Sequence, residues 1–99
     1  MKYCFDIDGT ICTFTDGKYE NAEPYLSRIK HVVQLIESGH EVVFHTARGS
    51  ETGIDWSEFT KNQLEHWGLL NPVVYYGKPS ANLYIDDRAV SDLNYNWEV

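Results

Sequence analysis

Short apolar runs that end abruptly in polar residues are the feature that most limits what this chain can fold into. Their lengths are those of strands, and their aliphatic and aromatic side chains indicate that the strands are buried. We predict four strands, at residues 2–7, Glu41–His45, 73–76 and Leu83–Ile85. Strands separated by helical segments are typical of an α/β fold with a mainly parallel sheet.

Two helical segments between these strands are indicated by apolar residues three and four positions apart. The first is expected to begin near Glu23–Pro24, where proline suits a first turn, and to end at Ser38–Gly39. Its apolar face is predicted to contain Ala22, Leu26, Ile29, Val33 and Ile36. The second helix is expected from Trp56 to Gly68. Residues 11–21 are predicted to form an irregular flap, and residues 86–99 a tail with a helical turn or two.

One connection is unusually short for such a sheet. About six residues separate the last two predicted strands, whereas a parallel crossover usually takes a dozen or more. Either residues 73–76 form a poor strand, or the connection runs over the edge at which the strands end and carries Lys78 across it.

Length and composition narrow the class of protein. The 99 residues correspond to one compact, Rossmann-like domain covering residues 1–99. The net charge of -7 argues against non-specific binding to nucleic acid and suits a site that collects a cation. We expect no membrane association, because no apolar run reaches the length of a membrane span. The N-terminus has no signal-peptide character, and two cysteines without zinc or disulfide spacing fit a cytoplasmic location.

Polar residues gather where the predicted strands end. The first strand ends in Asp6-Ile7-Asp8-Gly9-Thr10, the second in His45-Thr46-Ala47-Arg48, and the last in Asp86-Asp87-Arg88. In an open parallel sheet these ends line the ligand crevice. Four carboxylates in one crevice repel one another unless a cation compensates them, and oxygen ligands suit Mg²⁺. We therefore predict an Mg²⁺ site formed by Asp6, the backbone carbonyl of Asp8, and the pair Asp86 and Asp87, either of which can be the direct ligand.

A carboxylate beside a cation and a phosphate group can act as a nucleophile. Asp6 is predicted to attack phosphorus and form an aspartyl-phosphate. Asp8, two residues further on, is predicted to protonate the leaving oxygen and later to activate water.

These residues resemble, in order and context, the four motifs of the haloacid dehalogenase (HAD) superfamily. Asp6 to Thr10 is similar to its D-x-D-G-T nucleophile motif, and Thr46 to its phosphate-binding hydroxyl. Lys78 is similar to the basic third motif, and Asp86-Asp87 to the acidic fourth. The resemblance implies that Asp6, Asp8, Thr46 and Lys78 are the catalytic residues of a HAD-type core.

A closer resemblance is carried by residues 44–49, 52–56 and 77–87. They are similar to small capless HAD phosphatases encoded with bacterial capsule and surface-polysaccharide genes. This implies Mg²⁺-dependent hydrolysis of a phosphomonoester, with a sugar phosphate or related metabolite as substrate. The gaps of about 35 and 30 residues between motifs leave no room for a cap domain. We therefore expect a homo-oligomer to shield the site.

Without a cap, loops must read the leaving group, so selectivity is predicted in residues 11–21 and 48–56. The predicted substrate-binding residues are Gly9, Thr10, Ala47, Arg48, Asp55 and Trp56. Arg48 fits a substrate contact and a structural ion pair equally well. Asp55 fits a helix cap nearly as well as a hydrogen-bond acceptor for sugar hydroxyls, and Trp56 fits the core as well as a ligand platform.

Two other functions compete with a metabolite phosphatase. Ile85-Asp86-Asp87-Arg88 also resembles the end of the phosphatase domain of phage polynucleotide kinase, although the acidic charge weighs against a polynucleotide substrate. A non-catalytic phosphate-binding scaffold is the other, although both aspartates of the first motif are present.

Overall fold

The computed structural model describes residues 1–77 and 79–98, so Lys78 and Val99 lie outside the described residues. Its strands are β1 (Lys2–Asp6), β2 (Glu41–His45), β3 (Val74–Tyr75) and β4 (Leu83–Ile85), and its helices are α1 (Leu26–Glu37) and α2 (Ser57–His66). A single 3₁₀ turn covers Tyr19–Asn21. In the described chain the strands form one all-parallel sheet in the order β3-β2-β1-β4. The prediction of an α/β fold with a parallel sheet is confirmed.

The two central strands are covered on both faces. Consecutive residues Cys4 and Phe5 in β1, and Val43 and Phe44 in β2, are all buried. Since neighbouring residues of a strand point to opposite faces, neither face of the sheet centre is open to solvent. The buried core cluster contains Phe5, Ile7, Ile11, Cys12, Ile29, Val32, Phe44, Leu64 and Leu69.

Helix α1 begins at Leu26, two residues later than Pro24. The preceding residues are extended, because Thr13 N–H donates to the Glu23 carbonyl and Tyr25 N–H to the Ile11 carbonyl, each over 2.9 Å. This pairing holds the entry to α1 against the end of the first motif. The prediction of the helix start is therefore wrong, since it took no account of this pairing between distant residues.

The predicted apolar face of α1 is only partly correct. Ile29 is buried as expected, but Val32 is buried as well, whereas Leu26 is 74% exposed and Ile36 is 43% exposed. Because successive helical residues are about 100° apart, this pattern places the packed face nearer to Val32 than the sequence spacing indicated.

The short connection between β3 and β4 joins the two outer strands of the sheet. β3 ends at Tyr75, opposite His45, and β4 begins at Leu83, opposite Tyr3. The chain must return by about 10 Å along the strands and about 14 Å across them, and a link of this length reaches about 25 Å. The crossover without a helix is possible because β3 has only two residues, which agrees with the expectation of a poor strand at 73–76.

The tail that follows β4 contains no helix over residues 86–98, only turns, one of them closed by Asn94 N–H donating to the Ser91 carbonyl. The predicted helical turns are therefore reduced to isolated hydrogen-bonded turns. Within the described residues, neither helix has the length and apolar character needed to cross a bilayer.

Candidate functional site

The strand order places one crevice at the carboxyl edge of the sheet. From β1 the chain continues to β2 and β3 on one side, and β4 lies on the other side. In open α/β sheets, ligands bind outside the carboxyl ends of the strands at such a reversal. Asp6 ends β1, and Asp86 lies level with it, because it follows Ile85, the register partner of Phe5. The first and fourth predicted motifs therefore meet.

Acidic side chains converge at this crevice. Ligand atoms of Asp6, His45 and Asp86 all lie within 4.8 Å of one another, and His45 Nε2 is 3.3 Å from Asp86 Oδ2. Burial first, and then the nearby charges of Asp86 and Asp87, together raise the pKa of Asp6 from its usual 3.8 to about 7. The hydroxyl of Thr10, which donates to Asp6 Oδ2 over 3.1 Å, acts against this rise.

This cluster fits a divalent cation. Carboxylates brought this close favour the protonated form of one of them unless positive charge is supplied. The pKa of Asp6 is raised first by burial and then by the charges of Asp86 and Asp87, and a cation would offset both effects. The donor set of two carboxylates and one imidazole suits Mn²⁺ and similar metals as well as Mg²⁺, so the cluster itself does not select one ion.

Gly9 allows Asp87 to approach the loop that follows β1. It has φ +86, and a Cβ at this position would overlap the Asp87 carboxylate. Either feature alone disfavours a side chain, since positive φ is rare for other residues. The loop is closed by Thr10 and Ile11, whose N–H groups donate to the Ile7 carbonyl. We conclude that Gly9 serves the shape of the site.

Asp8 points away from the acidic cluster and forms a buried ion pair with Arg48. Arg48 Nε and Nη2 donate to the two Asp8 oxygens, each over 2.9 Å. The Arg48 side chain is fully buried and that of Asp8 is 14% exposed. Cys12 Sγ lies 3.7 Å from Asp8 Oδ1 as a weak donor, and burial raises the pKa of this thiol to about 12.

The remaining contacts of Arg48 also belong to the protein. Its Nη1 donates to Thr60 Oγ1 over 3.2 Å and to Gln63 Oε1 over 2.8 Å. Its guanidinium stacks 4.6 Å from the ring centre of Tyr19, whose carbonyl accepts from Gln63 Nε2. Of the two interpretations of Arg48, this arrangement favours structural ion pairing. Arg48 links the end of β2 to α2 and the flap, and its role as a substrate contact stays a prediction.

Thr46 lies one residue beyond the level of Asp6 and His45. Its N–H donates to the Tyr75 carbonyl over 3.0 Å, and its buried Oγ1 accepts from Arg48 N–H over 3.1 Å. The hydroxyl proton remains available to a ligand, as a phosphate-binding role requires. The next residue, Ala47, is exposed.

Asp55 and Trp56 line a separate cavity of about 250 Å³ beside Thr46 and Ala47. Asp55 Oδ1 accepts from Ser57 N–H over 2.9 Å and from Ser57 Oγ over 2.6 Å, and these bonds lower the pKa of Asp55. Asp55 thus binds the first residue of α2, which agrees with its interpretation as a helix cap. The Trp56 ring packs edge-on against Tyr19 and Phe59, which favours a packing role, and its role as a ligand platform stays a prediction.

Two residues that sequence reasoning did not assign belong to this region. His45 is the register partner of Asp6, and the matched strand ends are the signal that would have found it. Tyr76 follows β3 and lines the 250 Å³ cavity; it has no signal in the sequence, since the pairing of β2 with β3 brings it there. Lys78, predicted as catalytic, lies outside the described residues.

Comparison with known proteins adds no relative. No protein-family model, no curated protein and no solved structure matches this chain.

Proposed function

We propose that this protein is a phosphomonoester hydrolase with a capless HAD-type core, in which Asp6 is the nucleophile. The observation that carries the proposal is the meeting of Asp6 with Asp86 and Asp87 at the strand-order reversal, where the pKa of Asp6 is raised to about 7. Perturbed carboxylates in a crevice are characteristic of functional sites. The order of the four sequence motifs supplies the reaction class.

Asp6 acts on phosphorus from the end of a rigid strand. Its attacking oxygen forms a bond to phosphorus while the bond from phosphorus to the leaving oxygen breaks, which gives an aspartyl-phosphate. Thr10 holds the other carboxylate oxygen in place by donating a hydrogen bond to Oδ2. Thr46 Oγ1 donates to a phosphoryl oxygen, and this orientation is fixed because Thr46 is buried and hydrogen-bonded on both sides.

Asp8 is the proposed general acid of the first step and general base of the second. It gives a proton to the leaving oxygen and then takes one from the water that attacks the aspartyl-phosphate. Arg48 Nε and Nη2 donate to its two oxygens, so Arg48 is proposed to position Asp8. An Asp8 oxygen must be released from Arg48 before it can carry the proton for the leaving oxygen.

A divalent cation, proposed as Mg²⁺, would be held by Asp6, Asp86 and Asp87 with the backbone carbonyl of Asp8. When bound, it neutralises negative charge on the phosphoryl oxygens and on the surrounding carboxylates. The raised pKa of Asp6 and the carboxylate oxygens gathered beside it support this assignment.

The proposed substrate is a small phosphorylated metabolite in the cytoplasm, and the resemblance favours a sugar phosphate of surface-polysaccharide synthesis. The site lies at an open edge of a small domain, so a homo-oligomer is proposed to cover it. Lys78 completes the proposed catalytic set on the evidence of its motif alone.

The test is phosphate release from acetyl phosphate with and without Mg²⁺, by wild type and by Asp6→Asn. Asp16→Asn is the matched control, because Asp16 is an exposed aspartate in the flap. The proposal expects cation-dependent release that Asp6→Asn removes and Asp16→Asn retains. Release that survives in Asp6→Asn, or an inactive wild type over a broad panel that includes a 5′-phosphorylated oligonucleotide, would contradict it.

A further inference from the structure

The 250 Å³ cavity lies at the same edge of the sheet as the proposed nucleophile. Its lining includes Thr46 and Ala47, which follow β2 at the same edge as Asp6. Ile54, Trp56 and Tyr76 also line it. A phosphoryl group held at Thr46 would thus have this cavity as its nearest recess on the β2 side.

The loop that builds the cavity is ordered by its own hydrogen bonds. Gly53 N–H donates to the Gly49 carbonyl over 2.8 Å, and Ser50 N–H to the Ala47 carbonyl over 2.9 Å. Gly49 has φ +83, and a Cβ there would overlap the Ile54 carbonyl. A pocket whose walls are fixed before binding loses little entropy when a ligand enters.

The lining chemistry indicates an uncharged polar ligand with an apolar face. Tyr76 is 47% exposed and Ile54 is 56% exposed, so both offer apolar surface to a ligand. Ser50 and Asp55 add polar groups at the rim. Among the described lining residues, the one cation is Arg48, and its guanidinium is already bound to Asp8, Thr60 and Gln63. A leaving group with a second phosphate would therefore find no partner among them.

A second cavity, of about 470 Å³, flanks Asp86 and Asp87 on the other side. Its apolar lining comes from Tyr3 and Phe5 of β1 and from Leu83 and Ile85 of β4. Ser27, Arg28 and His31 of α1 also line it, so it presents a cation that an uncharged ligand does not need. The smaller cavity is the better match for an uncharged polar metabolite.

We propose that the cavity between residues 46–57 and Tyr76 is the leaving-group subsite and receives a single sugar ring or a polyol of that size. Tyr76 is its specificity residue, since its ring offers a flat surface for the C–H face of a sugar. This inference rests on the proposed phosphohydrolase function. It assigns selectivity to the β3 side of the sheet and removes it from the flap at residues 11–21.

The experiment compares kcat/KM for hexose 6-phosphate and hexose 1-phosphate probes with kcat/KM for acetyl phosphate. Tyr76→Ala is expected to lose about tenfold on the best hexose phosphate and little on acetyl phosphate, whereas Tyr76→Phe keeps the ring and the preference. Ser50→Phe, which fills the cavity from its exposed rim, is expected to give the same selective loss. Tyr95→Ala is the matched control, because Tyr95 is similarly exposed at 54% but lies in the tail.

Two results overturn the inference and leave the proposed function standing. One is Asp6-dependent hydrolysis of acetyl phosphate by a wild type that prefers no hexose phosphate. The other is an unchanged preference in Tyr76→Ala and Ser50→Phe, with a shift in Phe14→Ala of the flap or in Leu83→Ala of the larger cavity. If the wild type showed no Asp6-dependent hydrolysis of acetyl phosphate, that result would instead contradict the proposed function.

Discussion

Asp6 and Asp8 belong to one five-residue motif, Asp6 to Thr10, yet the fold gives them opposite surroundings. Asp6 faces other carboxylates, and its pKa is raised to about 7 by burial and by their charge. Asp8 faces a buried guanidinium that donates to both of its oxygens. Residues two apart in a strand point to the same face, so the different directions of the two side chains come from the loop that follows Asp6, where β1 ends. Environments that separate two nearby carboxylates in this way are how proteins assign them different chemical roles.

The two halves of the motif differ in what satisfies their charge. The raised pKa of Asp6 shows that the folded chain alone disfavours its charged form, and the proposed cation would offset this, whereas both oxygens of Asp8 are already bound by Arg48. In the proposed site, the first half of the motif therefore needs a ligand, and the second half joins β1, β2, α2 and the flap. Substitutions in the two halves should have opposite effects on stability.

The largest expected effect separates activity from stability. Asp6→Asn should lower turnover at least about 1,000-fold, because the nucleophile is removed. It should leave the free energy of unfolding equal or higher without added cation, because it relieves repulsion with Asp86 and Asp87. Phosphate release and urea denaturation on the same sample measure both. A variant that loses stability in step with activity would mean that Asp6 supports the fold.

The next effect concerns the satisfied half of the motif. Arg48→Met should destabilise the protein by about 3–5 kcal/mol, because it leaves the Asp8 carboxylate buried without a partner. Adding Asp8→Asn should restore part of this loss, and a double-mutant cycle by urea denaturation measures the coupling. Additive losses in the cycle would show that the pair is not an energetic unit.

His45 provides a smaller effect on the choice of cation. If its imidazole takes part in binding, His45→Asn should weaken Mn²⁺ about tenfold and Mg²⁺ much less, because imidazole suits softer divalent ions. Isothermal titration of each ion gives the two affinities, with His66→Asn as an exposed control. Equal weakening of both ions would indicate that His45 acts only by holding Asp86 through their 3.3 Å contact.

The smallest effect is a pH dependence of stability in the presence of a chelator. The folded state raises the pKa of Asp6 from 3.8 to about 7, so in this window the folded chain holds a proton that the unfolded chain has released. The stability contributed by that proton is present below about pH 4 and is lost as pH rises to about 7. The difference in Tm between Asp6→Asn and wild type should therefore grow from low to neutral pH. A constant difference would contradict the raised pKa.

Local pattern predicts the elements of this fold better than their contacts. The apolar runs predict β1, β2 and β4 to within about a residue, because burial of a strand is visible in its own side chains. The start of α1 and the partner of Arg48 depend on residues far away in the chain, such as Ile11 and Asp8, so no local signal shows them.

The residues of the candidate site also divide into those that local sequence predicts and those that depend on distant contacts. Asp6, Asp86 and Asp87 were predicted together because parallel strands end at one edge, a rule that needs no register. His45 ends a predicted strand, so the matched strand ends signal it, although its pairing with Asp6 depends on register. Tyr76 depends on the pairing of β2 with β3, which is set by packing of the whole sheet, and it has no sequence signal of its own.

The most direct test is to identify the residue that receives the phosphoryl group. Wild type mixed with excess acetyl phosphate and Mg²⁺, quenched in acid within the first turnover and digested, should yield a phosphorylated peptide with the group on Asp6 by mass spectrometry. Asp8→Asn should accumulate more of it, since Asp8 activates the water that removes it. Phosphate release with no protein-bound phosphoryl group, or a group on any residue other than Asp6, would contradict the central claim.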